Sequence, residues 1–157
     1  MATDINFSEL VGKTIVKIKG LEKNSDFIIF ETSDGYIYGM YHSQECCESV
    51  YVEDVCGKAE DLLNTPLVIA EEKKGEIEDT DYGILRYTFY TLATKNGYVD
   101  IRWHGESNGW YSVNVSLGRV KKVRDSSYYF DPKSFDCYDF YEDEDDESAY
   151  FQYFSND

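Results

Sequence analysis

Tyr87-Thr88-Phe89-Tyr90-Thr91-Leu92-Ala93-Thr94-Lys95-Asn96-Gly97-Tyr98-Val99-Asp100-Ile101-Arg102-Trp103-His104 decides the fold. Apolar and polar residues alternate on both sides of Asn96-Gly97, the pattern of a hairpin closed by a two-residue type I′ turn. With that turn, Leu92 pairs with Ile101 and Tyr90 with Trp103. Tyr90, Leu92, Val99, Ile101 and Trp103 then share the buried face, and Phe89, Thr91, Arg102 and His104 the other. A second turn over Gly105-Glu106-Ser107-Asn108-Gly109 leads into Trp110 to Leu117. There Tyr111, Val113, Val115 and Leu117 alternate with Trp110, Ser112, Asn114 and Ser116. The expectation is a three-strand antiparallel meander.

Working back toward the amino terminus, Asn6 to Val11 reads as one or two helical turns ended by Gly12. Thr14 to Leu21 reads as a strand with Thr14, Val16 and Ile18 on one face. Asp26 to Thr32 is a strong strand, Asp34-Gly35 a second type I′ candidate, and Tyr36 to His42 the returning strand. The first third of the chain is therefore a meander as well. Val50, Val52 and Val55 mark a short strand. Lys58 to Asn64 forms helical turns anchored by Leu62 and Leu63 and stopped by Pro66. Leu67 to Glu72 is a further strand, and the charged segment 71–81 a solvated loop. The fold class is mainly β: a curved antiparallel sheet or small open barrel made of two meanders, with one or two short helices.

The chain has 157 residues, enough for one domain with one core. Its net charge of −16 argues against direct binding to nucleic acid or to an anionic membrane. It favours a cationic partner, or simple solubility. No secretory signal and no apolar run of spanning length is visible, which points to the cytoplasm. In that compartment Cys46, Cys47, Cys56 and Cys137 are expected as reduced thiols.

The charge is unevenly placed. Residues 125–157 hold eleven acids and one lysine, a net of −10, together with eleven aromatic side chains; residues 1–124 carry a net of −6. The expected division is a β-rich domain over 1–124 and an acidic, aromatic-rich extension over 125–157. Solvated tails are poor in aromatics, so this one has the means to dock on a surface. Within it, Glu142, Asp143, Glu144, Asp145, Asp146 and Glu147 form six consecutive acids. Extended, they place a charge every ~3.3 Å, close to the ~3.4 Å between phosphates of a DNA strand. With Tyr138, Tyr141 and Tyr150 they make a candidate partner-binding segment for a basic groove. A self-repelling, solvated spacer is the plain alternative.

Two segments carry a family resemblance: Met40-Tyr41-His42-Ser43-Gln44-Glu45-Cys46-Cys47-Glu48-Ser49-Val50, and Thr88 to Thr94 followed by Val99 to Ser112 with its Gly105-Glu106-Ser107-Asn108-Gly109 turn. Over roughly residues 10–118 the chain resembles a small family of uncharacterised phage and prophage proteins, a domain of unknown function. The resemblance implies a phage-encoded intracellular protein and no assigned activity. The acidic extension departs from it, since the family ends near residue 118.

Other constellations are weaker. His42, Cys46, Cys47, Cys56 and His104 are zinc-ligating types without a Cys-x-x-Cys knuckle, so no metal or other cofactor is expected. Glu45, Glu48 and Glu53 surround the cysteines with charge that disfavours a thiolate nucleophile. Gln44, Arg102, His104, Glu106 and Asn108 could line a polar rim for a small ligand such as a nucleotide, or serve only cross-strand pairing and turns. The expected function is non-enzymatic: a phage-type inhibitor, in counter-defence or host takeover, that binds a basic nucleic-acid-binding surface of a bacterial protein, partly by acidic mimicry. The alternative is a domain that sequesters a small nucleotide.

Overall fold

The computed structural model describes residues 3–121. The acidic extension and its candidates Tyr138, Tyr141, Glu142, Asp143, Glu144, Asp145, Asp146, Glu147 and Tyr150 lie outside the described residues.

Among the described residues, ten strands form two antiparallel sheets. The first contains β1 (Thr3–Asp4), β2 (Ile15–Lys19), β3 (Phe27–Thr32), β4 (Tyr36–Tyr41) and β10 (Ser116–Lys121), in the order β1-β10-β4-β3-β2. The second contains β5 (Ser49–Cys56), β6 (Ile69–Lys74), β8 (Gly83–Thr94) and β9 (Gly97–Ser107), in the order β5-β9-β8-β6. Short β7 (Glu78–Thr80) pairs with the start of β8. Two 3-10 turns, Phe7–Leu10 and Ala59–Leu62, add Leu10 and Leu62 to the interior. The mainly-β expectation holds. The layout is two sheets with no closed barrel among the described residues.

One core lies between the sheets. Ile28, Phe30, Tyr38, Met40 and Leu117 enter it from the first, and Val50, Val52, Tyr90, Leu92, Val99, Ile101 and Trp103 from the second. The period-two alternation of the 87–104 stretch sends its apolar side chains to this side, as the sequence predicts. Trp103 is 1% exposed, and removing such a side chain costs about 3–5 kcal/mol.

Several local expectations are corrected. The β8–β9 loop is Lys95-Asn96, not Asn96-Gly97: Thr94 pairs with Gly97, Leu92 with Val99, and Tyr90 with Ile101. Tertiary bonds decide this. Thr94 Oγ1 donates to the Asp61 carbonyl and accepts from Asn96 N at 3.1 Å, while Asn96 Nδ2 donates to Thr65 Oγ1 at 3.0 Å. The shift keeps the parity, so every buried residue of the hairpin stays buried. Likewise, the β3–β4 loop has three residues. Gly35 N donates to the Thr32 carbonyl at 3.2 Å and Gly35 takes φ +88°, a four-residue turn ended by a left-handed glycine. A bulge between Ile15 and Lys17 reverses the face expected for Thr14 and Val16: Ile15 is buried and Val16 exposed. Segment 71–81 is not a loop: β6 and β7 follow one another along β8, each antiparallel to it.

The largest correction concerns 110–117, which is not a third strand beside β9. Both edges of β9 are already taken, by β8 and by β5. The chain instead turns at Asn108, crosses to the first sheet, and pairs as β10 with β4 and β1. Ser107 Oγ closes that turn, donating to the Tyr111 carbonyl at 2.9 Å and accepting from Gly109 N at 3.0 Å. Val113, Val115 and Leu117 are buried as the alternation predicts, without strand pairing over 108–115.

Candidate functional site

The outer face of the second sheet carries the one group of sequence-predicted ligand residues that the fold brings together. On β9, Arg102, His104 and Glu106 point away from the core in a row. Glu53 of β5 reaches between the first two: Oε1 accepts from Arg102 Nη2 at 3.0 Å, and Oε2 lies 3.2 Å from His104 Nδ1. The His104 ring stacks on Tyr51 at 4.9 Å between centroids and meets the edge of Tyr87 at 5.7 Å. The Arg102 guanidinium sits over the Tyr87 ring at 5.7 Å. The result is an aromatic and ionic ladder across three strands. It borders an open depression of about 320 Å³ that Asp54, Cys56, Phe89, Thr91 and Asp100 help to line.

This surface has one guanidinium, one imidazole and two aromatic rings. It could stack a flat ring and hold an anion. Glu53 already occupies part of the donor set, so an anionic ligand would compete with it. Gln44 and Asn108 stand apart from the ladder. Gln44 Nε2 donates to the Glu48 carbonyl at 2.7 Å, and Asn108 Oδ1 accepts from Trp110 N at 2.9 Å in the turn.

Sequence reasoning missed a second cluster. Glu48 is buried in the crossover from β4 to β5, and its carboxylate accepts from Cys46 N at 2.8 Å and Glu45 N at 3.0 Å. His42 Nε2 lies 2.9 Å from Glu48 Oε2, and His42 Nδ1 lies 2.7 Å from the Asn114 carbonyl in the other crossover. Both ring nitrogens of His42 thus face oxygen atoms, one from each crossover. Burial pushes the Glu48 carboxyl up. Donation from His42 and from the backbone at Cys46, Glu45 and Glu48 outweighs this and brings it down to about 2. A Glu three residues after a Gln-Glu pair gives no hint of burial, which is why the sequence hid it.

The expectation of reduced thiols fails at Cys46 and Cys47, which are joined as a vicinal disulfide. Bonds from Gln44 Nε2, Glu45 N and Cys46 N to Glu48 close 44–48 into a tight turn around the disulfide. Cys56 is a free, exposed thiol at the end of β5. Among the described residues, no three His, Cys, Asp or Glu side chains gather into a metal-binding group. No helix among them is long and apolar enough to cross a membrane.

Comparison with known proteins places residues 8–117 in a domain of unknown function, DUF7448. The chain belongs to the DUF7448 family. The matched span runs from the first 3-10 turn into β10, so it takes in both sheets and leaves the acidic extension outside. A stretch of botulinum neurotoxin type X from Clostridium botulinum is 28% identical over 133 residues, covering 82% of this chain and 10% of the toxin. The chain thus spans about a tenth of that relative. No solved structure matches.

Proposed function

We propose that this DUF7448 protein is a non-enzymatic, phage-type inhibitor that acts in the bacterial cytoplasm, in counter-defence or host takeover. Its target is a basic, nucleic-acid-binding surface of a host protein. The supporting observation is the charge partition: a net of −10 in residues 125–157, with six successive acids at 142–147 and rings at Tyr138, Tyr141 and Tyr150. An acidic array with phosphate-like spacing competes for a groove built for DNA or RNA, and flanking rings add buried area and stacking on Arg. The family domain over 8–117 would be the scaffold that carries this array.

The test is capture of basic proteins from a bacterial lysate by the full chain and by a variant neutralised at 142–147 (Glu→Gln, Asp→Asn), with duplex DNA as competitor. The reading requires a nucleic-acid-binding protein that the full chain retains, that DNA displaces, and that the neutralised variant fails to hold. Equal capture by both chains would sink it.

One observation favours a second reading. Arg102 and His104 share Glu53 beside Tyr51 and Tyr87, a setting suited to a nucleotide base and phosphate. A thermal-shift panel of nucleotides discriminates the two readings. Stabilisation by one nucleotide, unchanged by neutralising 142–147 and lost with Arg102→Ala, favours sequestration.

A further inference from the structure

The disulfide between Cys46 and Cys47 joins neighbouring residues and encloses no other part of the chain. An ordinary disulfide stabilises a fold by closing a long loop in the unfolded chain, and this one closes none. Stability therefore does not explain it. Both residues are exposed, so a thiol reagent can reach the sulfurs from solvent.

The exposed sulfurs are tied to a buried group through the Cys46 backbone. Cys46 N donates to Glu48 Oε1 at 2.8 Å, and Glu45 N to Glu48 Oε2 at 3.0 Å. The Cys46 carbonyl accepts from Gln44 Nε2 at 3.2 Å. Glu48 is buried and meets His42, whose other ring nitrogen reaches the Asn114 carbonyl. A peptide fixed by the sulfur bridge thus supplies a donor to the carboxylate on which the clasp between the two crossovers is built.

We propose that Cys46–Cys47 is a reversible thiol–disulfide exchange site whose co-substrate is a dithiol, and that its oxidation state tightens or loosens the Glu48–His42 clasp. In the reducing direction, one thiolate of the dithiol attacks a protein sulfur. A mixed disulfide forms, the S–S bond breaks, and the other protein sulfur leaves as a thiolate and takes a proton. The second thiol of the reagent then attacks the mixed disulfide, releasing the second cysteine. Two electrons pass to the protein, and the dithiol leaves as its own disulfide. The reverse exchange, with an oxidised dithiol, closes the bridge again.

Two features select a dithiol over a single thiol. After attack by a monothiol, the freed cysteine is the immediate neighbour of the mixed disulfide and expels the reagent before a second molecule arrives. A dithiol resolves its own mixed disulfide just as fast. The charge of Glu45 and of the whole chain, −16, also repels an anionic monothiol such as glutathione. Once the bridge is open, Glu45 N and Cys46 N are no longer held against Glu48, and the 44–48 turn loosens.

This inference does not rest on the inhibitor reading, and neither outcome below bears on residues 142–147. The full, air-oxidised chain is treated with dithiothreitol or glutathione at equal thiol concentration, alkylated with iodoacetamide, and mapped by peptide mass. The peptide with Cys46 and Cys47 should carry no adduct before reduction and two after it. Dithiothreitol should open it at least about tenfold faster than glutathione. On reduction the Glu45 and Cys46 amides should exchange at least about tenfold faster, while those of β8 and β9 keep their protection. The double variant Cys46→Ser, Cys47→Ser should show the fast exchange with or without dithiothreitol. Adducts on both cysteines before reduction, or equal rates with the two reagents, would overturn the proposal. So would unchanged Glu45 and Cys46 exchange after reduction, or loss of protection throughout β8 and β9.

Discussion

His42 Nε2 stands 2.9 Å from Glu48 Oε2, with the two side chains 5% and 0% exposed, while the other ring nitrogen of His42 reaches the Asn114 carbonyl at 2.7 Å. One imidazole therefore ties together the two places where the chain passes between sheets, the crossover after β4 and the one before β10. A buried carboxylate of this kind is costly unless fully hydrogen-bonded, and Glu48 is bonded by a ring and by backbone donors.

The acid limb of stability should follow Glu48. Its folded-state value of about 2 lies below the ordinary 4.5, so between those pH values the unfolded chain binds more protons. Its contribution is present above pH 4.5 and is lost as pH falls toward 2. Glu48→Gln should cost about 3 kcal/mol at neutral pH, as expected when one partner of a buried pair is removed. It should also flatten the fall between pH 4.5 and 2. Urea melts across that range check both; an unaltered slope would mean Glu48 is not the group responsible.

Gly105 and Val113 should be energetically coupled. A Cβ at Gly105 would come within 2.7 Å of the Val113 Cβ, which is how the crossover before β10 packs down on β9. Gly105→Ala should cost about 1–3 kcal/mol by overpacking. Adding Val113→Ala should recover part of that loss. Equilibrium denaturation of the two single variants and the double variant measures the coupling, and strict additivity would contradict the packing.

The Glu53 bridge should contribute little to stability. The Arg102 and Glu53 side chains are 42% and 29% exposed, so a double-mutant cycle of Glu53→Gln with Arg102→Ala should give a coupling of about 1 kcal/mol or less. If the ladder is a ligand site, Glu53→Gln should instead tighten anion binding, because it frees donors on Arg102 and His104. Calorimetric titration with a nucleotide reads that sign directly.

Partner binding through 142–147 should weaken steeply with salt. Screening shortens from about 10 Å at 0.1 M to about 3 Å at 1 M, which removes the attraction between an exposed acidic run and a basic groove. The captured host protein should lose affinity for the full chain across that range, whereas the neutralised variant should show a shallow dependence. Similar slopes for both would take the acidic run out of the interface.

Local pattern carried much of the fold. Alternation between Tyr90 and Trp103 placed those side chains inward, and Pro66 and Leu62 located the 3-10 turn. The unbroken Phe27-Ile28-Ile29-Phe30 run signalled a strand, and its lack of alternation is the mark of burial on two faces. The Arg102–His104 pairing was legible too, since residues two apart on a strand share a face. Gln44 and Asn108 could not be placed, because each is bonded within its own loop.

The sequence by itself determined the strands of the 27–41 and 87–104 hairpins, the apolar side of the 87–104 pair, and that charge is concentrated after Arg124. Only the tertiary structure decided which strands are neighbours, where the hairpin turns, and that Glu48 is buried. Alternation is a property of one strand and fixes its faces. Pairing depends on which edges remain free once other strands have joined, and burial of a carboxylate depends on donors brought from distant parts of the chain.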